Sequence, residues 1–307
     1  MARKLQFDLT VNANALLCPN PEEFYSAAYI RETDPDNFRV VPNVKNSTKL
    51  ANITFGQVLK AEACAFSAPT DTMDAIDVDV CGLSIMAQLC QFDLESSFLA
   101  TQMASGSNGS FEVASFMSYY YNELSSSVSA DIETIRWQGD TTLTDATLQL
   151  CDGYEKLLAA DTAVVDVANP TGGITSSNVL AQMQLVHEAA PTAVLSQGAD
   201  LRFYVARNVF TAFTYAMAAG NTVAYLTTPL APTYLGIPVI VCDGMSDDIM
   251  VFTSKWNLIY AFDSASDQSE LRAINLKETT GDAYLRTRAD LKIGFQIANP
   301  AEIVYHS

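Results

Sequence analysis

Residues 109–140 read GSFEVASFMSYYYNELSSSVSADIETIRWQGD. Val113, Met117, Tyr120, Leu124, Val128, Ile132 and Ile135 recur three or four positions apart, which lines them along one stripe of a helix. Asn108 or Ser110 is placed to cap the start, and Glu112 falls in the first turn, where the helix dipole favours an acid. Gly139 stands where a left-handed residue commonly ends a helix. The spacing predicts a helix over 109–138, on the order of 40 Å long. That is far above the mean helix length, and it suggests a spine along which other elements lie.

Upstream, residues 60–92 are expected to form a long hairpin. Ala61 to Phe66 leads into Ser67-Ala-Pro-Thr-Asp-Thr72, a turn by composition. Ile76, Val78 and Val80 then alternate with Asp77 and Asp79, the period of a strand with one covered face. Residues 1–55 are broken by Pro19, Pro21, Pro35 and Pro42 and by seven asparagines, so they read as an irregular arm. Phe7, Leu9, Phe24, Tyr25 and Phe38 in that arm nevertheless need cover.

Downstream the pattern mixes short helices and strands, which makes the fold class α+β. A helix is expected from near Ser176 to before Pro191, a strand over Leu201–Val205, and a helix from Asn208 to Ala219. Buried or half-buried strands follow at Ile237–Cys242, Ile249–Thr253, Leu258–Phe262, Leu271–Leu276 and Tyr284–Ile297. No internal repeat or low-complexity linker interrupts the chain.

The 307 residues carry 17 Lys+Arg against 35 Asp+Glu, a formal net charge of −18. A chain so acidic lacks the cations that displace counterions from a nucleic acid, so it is not a direct binder of one, though it can enclose one. Apolar residues reach 49%, against 17% charged. That excludes intrinsic disorder and suggests that part of the surface is covered by neighbours. The first residues lack the apolar core of a signal peptide, and no uncharged run is long enough for a bilayer span, so a cytoplasmic site of synthesis and no membrane partner are expected.

The sequence offers little for catalysis. His187 falls inside a helix and His306 is penultimate, and no Gly-x-Ser-x-Gly elbow accompanies either. The loop Ser105–Ser110 lacks the lysine of a phosphate loop. Asp71, Asp74, Asp77 and Asp79 match no calcium-loop spacing and read as a solvated hairpin edge; Asp243–Asp248 is a second acidic turn of that kind. Catalytic residues, cofactors and metals are therefore all expected to be none. Cys18, Cys64, Cys81, Cys90, Cys151 and Cys242 contain no C-x-x-C pair and are expected to be six free thiols.

A large, acidic, well-cored chain with an arm, a hairpin and a long helix but no active site points to assembly. Glu133-Thr-Ile-Arg-Trp-Gln-Gly-Asp140, at the end of the long helix, resembles the end of the spine helix in major capsid proteins of tailed phages, the Hong Kong 97-type fold. Asp200-Leu-Arg-Phe-Tyr-Val-Ala-Arg207, Tyr234-Leu-Gly-Ile-Pro-Val-Ile-Val241, Asn257–Asp263 and Asp290–Val304 are similar, in that order, to later phrases of the same family. The resemblance covers roughly residues 56–307. It implies an N-terminal arm (1–55), an extended loop (56–107), a spine helix of a peripheral domain (108–140), an axial domain (141–247) and return strands of the peripheral domain (248–307).

The same resemblance implies a shell subunit, which forms pentamers and hexamers that close into an icosahedral head around double-stranded DNA. The chain's partners would be further copies of itself, with a portal, cement proteins and, where used, a separate scaffolding protein. Its location would be the virion capsid, after synthesis in the bacterial cytoplasm. Encapsulin shells share the fold and are the alternative within assembly proteins; a cytosolic hydrolase using the acidic turns is the alternative from another class. Assembly contacts are expected at Ile76, Val78 and Val80, the apolar face of the hairpin. Some relatives join loop lysines to a neighbour's asparagine. Between Lys60 and Lys156 the only basic residue is Arg136, so non-covalent contacts are expected instead.

Overall fold

Helix α1 (Ala114–Gln138) is the long helix of the structure, a computed structural model that describes residues 5–8, 32–56, 58–59, 72–90, 114–196, 198–220, 232–263, 272–276, 280–282 and 284–307. Its expected start, with the caps at Asn108 or Ser110, lies outside the described residues. Residues 120–132 are half-buried or exposed; the last turn, with Glu133, Ile135, Arg136 and Trp137, is buried. Gly139 does follow the helix, but not in the left-handed conformation expected of it. Close approach is what requires glycine there. A Cβ on Gly139 would stand 2.3 Å from the Cys151 carbonyl oxygen and 2.5 Å from that of Ile135, and Gly153 N donates to Gly139 O at 2.8 Å.

Among the described residues, two six-stranded sheets and a two-stranded one make up the β structure. The first holds β1 (Leu5–Asp8) and β2 (Arg39–Val41). The separate pair is β3 (Ser47–Thr54) with β4 (Thr72–Asp79). After them come β5 (Cys81–Cys90), β6 (Val165–Val167), β7 (Leu201–Ala206), β8 (Thr233–Tyr234), β9 (Ile237–Cys242) and β10 (Met250–Ser254). The last four are β11 (Leu258–Phe262), β12 (Arg272–Asn275), β13 (Tyr284–Ile297) and β14 (Val304–His306). The first sheet runs β1-β5-β13-β11-β2, with β12 also on β13; the second runs β6-β14-β10-β7-β9-β8. Helices α2 (Tyr154–Ala160), α3 (Val179–Ala189), α4 (Thr192–Leu195) and α5 (Arg207–Gly220) connect them, and α3 packs on β6, β14 and α5.

Burial follows the sequence pattern. Along β13, Leu285, Thr287 and Ala289 are buried while Arg286, Arg288 and Asp290 are exposed, the alternation of a sheet covered on one face. Strand β10 is buried along its whole length, as expected of a central strand covered on both faces. One continuous core joins the two sheets through Phe38, Trp137, Tyr154, Tyr204, Tyr260 and Phe295.

Three expectations need correction. Ser47–Thr54, assigned to an irregular arm, forms the strand opposite β4, with Leu50 facing Ile76 and Thr48 facing Val78. The strand expected at Ala61–Phe66 lies outside the described residues, as do 91–107 of the expected loop. The segment after residue 247 does not return wholly to one sheet. Met250–Ser254 pairs with β7 and with β14, in the middle of the second sheet, because its unbroken apolar run suits a site buried on both faces. Among the described strands after residue 247, β11, β12 and β13 join the first sheet.

The third correction concerns the cysteines. Cys81 and Cys151 form a disulfide across 70 positions of sequence. Free thiols were expected from composition and compartment, neither of which reveals that β5 and the segment after α1 bring two cysteines to a Cα separation of 5.8 Å. Cys90 and Cys242 are free; Cys18 and Cys64 lie outside the described residues.

Candidate assembly site

The buried end of α1 carries charge. Arg136 Nη1 donates to Glu133 Oε2 at 2.7 Å and to Thr33 O at 3.1 Å, and its Nη2 donates to Glu32 Oε1 at 2.6 Å. Glu133 in turn accepts from Thr33 N at 3.0 Å, from Thr33 Oγ1 at 2.7 Å and from Trp137 Nε1 at 3.2 Å. The guanidinium also stands over the rings of Phe38 and Tyr260, 5.0 and 4.8 Å from their centroids. Burial disfavours the cation, but Glu133 and Glu32 more than offset it, and the pKa of Arg136 is raised.

Phe38 stacks on Tyr154 and Tyr204, at 5.9 and 5.5 Å between centroids, and Tyr204 Oη donates to the Asn37 carbonyl. Residues 32–38 are thereby clamped to the end of the spine helix. The clamp fixes where the arm leaves the core, and hence where β2 and β3 begin. Glu133 and Arg136 sit one turn apart at the apolar end of the helix, and that charge placement was the signal available in the sequence.

Of the three residues expected to make assembly contacts, Ile76 and Val78 share one face of β4 and Val80 follows just past its end, and the three do not have the same cover. Val78 is fully buried within its own chain, against Val44, Ile259 and Ala261. Val80 is partly buried beside that cluster. Ile76 lines a groove of about 610 Å³ together with Asp74, Leu157, Asp161, Ile297 and Pro300. Asp77 and Asp79 are exposed on the opposite face. The root of the hairpin is thus seated on the chain's own core. Gln296 Nε2 donates to Asp77 O at 3.0 Å, and Val80 N donates to Asn46 O at 3.0 Å.

Away from the root the hairpin is uncovered. Ile53, Phe55, Val58, Leu59 and Met73 are 53 to 87% exposed. Five large apolar side chains this exposed on one projection are more than the single scattered ones of an ordinary surface. The sequence reading singled out none of Ile53, Phe55, Val58 and Leu59: it placed the first two in the arm (1–55), and the other two, at the start of the extended loop (56–107), fall in no periodic pattern. It also missed Lys49, which the hairpin carries on β3 in an ion pair of 3.2 Å with Asp77. The hairpin is therefore not free of amines, as residues 61–155 alone suggested.

Two titratable groups sit in the second sheet's surroundings. Burial raises the pKa of Glu155, opposed by hydrogen bonds from the Ser246 hydroxyl and amide. Burial lowers the pKa of His306, whose Nε2 is 3.2 Å from Gln182 Oε1. Among the described residues no group of three His, Cys, Asp or Glu side chains is placed to hold a metal ion, and no helix is long and apolar enough to cross a membrane.

No protein-family model matches the sequence, and no curated protein matches it. Solved structures do match in three dimensions. The capsid of Myoviridae phage XM1 superposes with a TM-score of 0.61 at 13% identity, over 97% of this chain and 98% of that one. The capsid of an empty GTA particle gives 0.59 at 15% identity, over 97% and 99%. The chain has the Hong Kong 97-type capsid fold. The procapsid of satellite phage P4, which includes the size determination protein Sid, matches at 0.57 and 10% identity, over 89% of this chain and 85% of the other. At such identities the likeness speaks for the fold alone.

Proposed function

We propose that the chain is the major capsid protein of a tailed double-stranded DNA phage, building the head shell as pentamers and hexamers. The observation that carries this is the superposition on capsid subunits over nearly the whole of both chains. The exposed apolar residues of the hairpin support it, since Phe55, Leu59 and Met73 are 64 to 87% exposed and a neighbouring subunit would cover them. In this reading the contacts run head to tail around a ring, which closes when the rotation permits. Ile76, which lines the groove at the hairpin root, and Val80, which its own chain covers only in part, take part in those contacts, whereas Val78 holds the hairpin to its own subunit.

The protein acts as a structural component, with copies of itself as the first partner and with scaffolding, portal and cement proteins as further ones. Its acidic surface encloses DNA without gripping it, since it offers few cations to phosphate. It is made in the host cytoplasm and ends in the virion. Sedimentation velocity of the purified protein tests the proposal. Shells or shell fragments of megadalton mass are expected; a stable monomer or dimer at all concentrations would refute it.

A further inference from the structure

Cys81 opens β5 at the root of the hairpin, and Cys151 lies between α1 and α2. Each cysteine is held in place by contacts other than their bond. Cys81 faces Ile293 in the ladder with β13. Cys151 is buried, its Sγ lies 3.9 Å from Ile293 O, and its carbonyl is wedged against Gly139 at the helix end. The pair is thus aligned by the fold itself, and the chain can reach this arrangement with both thiols reduced. A cytoplasm keeps such thiols reduced, whereas an extracellular particle meets an oxidising medium.

We propose that Cys81–Cys151 is a redox-governed lock within each capsid subunit, open while the shell is built and closed in the released particle. The proposal rests on the capsid function given above. The closed loop contains β5 and the whole spine helix, so the bond ties the hairpin root to the far end of that helix. The oxidant is a low-molecular-weight disulfide such as oxidised glutathione. The thiolate of Cys81, the partly exposed partner, attacks one sulfur of that disulfide and expels a small thiolate. The Cys151 thiolate then attacks the Cys81 sulfur and expels the second. Two protein thiols become one disulfide, and one small disulfide becomes two thiols.

The other described thiols do not compete. Cys242 is fully buried and its pKa is raised by that burial. Cys90 sits nine positions along β5 from Cys81, roughly 30 Å away at strand rise.

The test uses the assembled protein. Cells are lysed into an alkylating agent, and a second portion of particles is treated with oxidised glutathione before alkylation. Mass spectrometry of the peptides should find Cys81 and Cys151 alkylated in the first and joined in the second. The joined particles should melt about 5–10 °C higher, the range expected when a long loop is closed in a chain of this size. Cys151→Ser should remove the difference; should that variant not fold, the parent with and without reductant gives the same comparison. A bond already complete at lysis, no bond after oxidation, or equal melting of both forms would each overturn the lock. Failure to form particles at all would instead refute the capsid function, since the peptide measurement can be made on unassembled chain.

Discussion

Arg136 and Glu133, both without solvent exposure and one helical turn apart, are joined at 2.7 Å and together hold Thr33 of the N-terminal segment. A buried pair gains little over apolar residues of the same shape, but breaking it leaves a stranded charge, at a cost of about 3–5 kcal/mol. Arg136→Ala is therefore expected to lower stability by roughly that amount. It should also release residues 32–38, read as lost hydrogen-exchange protection at Thr33. Unchanged protection there would mean that the aromatic stack of Phe38 holds the segment unaided.

Val78 and Met73 separate folding from assembly. Val78→Asp places a charge in a site closed by the chain's own Val44 and Ile259, and should cost more than about 3 kcal/mol of subunit stability. Met73→Asp alters a side chain that is 71% exposed; it should leave melting of the unassembled chain unchanged and reduce particle yield. Normal particle yield from Met73→Asp would remove this strand from the contact surface.

Gly294 and Gly82 give a matched pair. A Cβ on Gly294 would stand 2.0 Å from the Asp79 carbonyl oxygen, where β4 passes into β5, whereas one on Gly82 meets nothing within 4 Å. Gly294→Ala should shift the hairpin root and destabilise the chain by about 1–3 kcal/mol. Gly82→Ala should melt within about 0.5 kcal/mol of the parent. Equal melting of the two variants would show that the hairpin root yields without cost.

His306 makes stability depend on pH. Its folded pKa lies below the unfolded value of about 6.5 because burial disfavours the cation. The native chain therefore binds fewer protons. Its stability is complete above that unfolded value and is lost as pH falls below it. Asp166 and Asp248 oppose the shift by favouring the charged ring. The parent should melt lower at pH 5.5 than at pH 7.5, and His306→Gln should narrow the gap. An equal gap in both would assign the pH dependence to other groups.

Most strands and helices after residue 176 were legible because each is a short apolar run closed by a turn residue. Ile237–Cys242, Leu258–Phe262 and Tyr284–Ile297 have the bounds that the pattern predicts. The alternation of Val78 with Asp77 and Asp79 also reported the correct covered face. What covers that face was not legible, since Val44, Ile259 and Ala261 come from distant segments. Ser47–Thr54 was misassigned for the same reason. Its partner starts at Thr72, with seventeen residues between it and Thr54, beyond the reach of a local pattern. The clamp and the disulfide were missed because periodicity reports faces, not which distant residues meet. The Glu133–Asp140 phrase carried the fold, yet nothing local shows that its glutamate and arginine receive Thr33.

Electron microscopy of the purified protein tests the central claim most directly. The account predicts closed icosahedral shells whose reconstruction shows five- and six-subunit rings, with the β3–β4 hairpin lying against a neighbouring subunit. A uniform population of small particles, with Phe55, Leu59 and Met73 covered by no second copy, would contradict it.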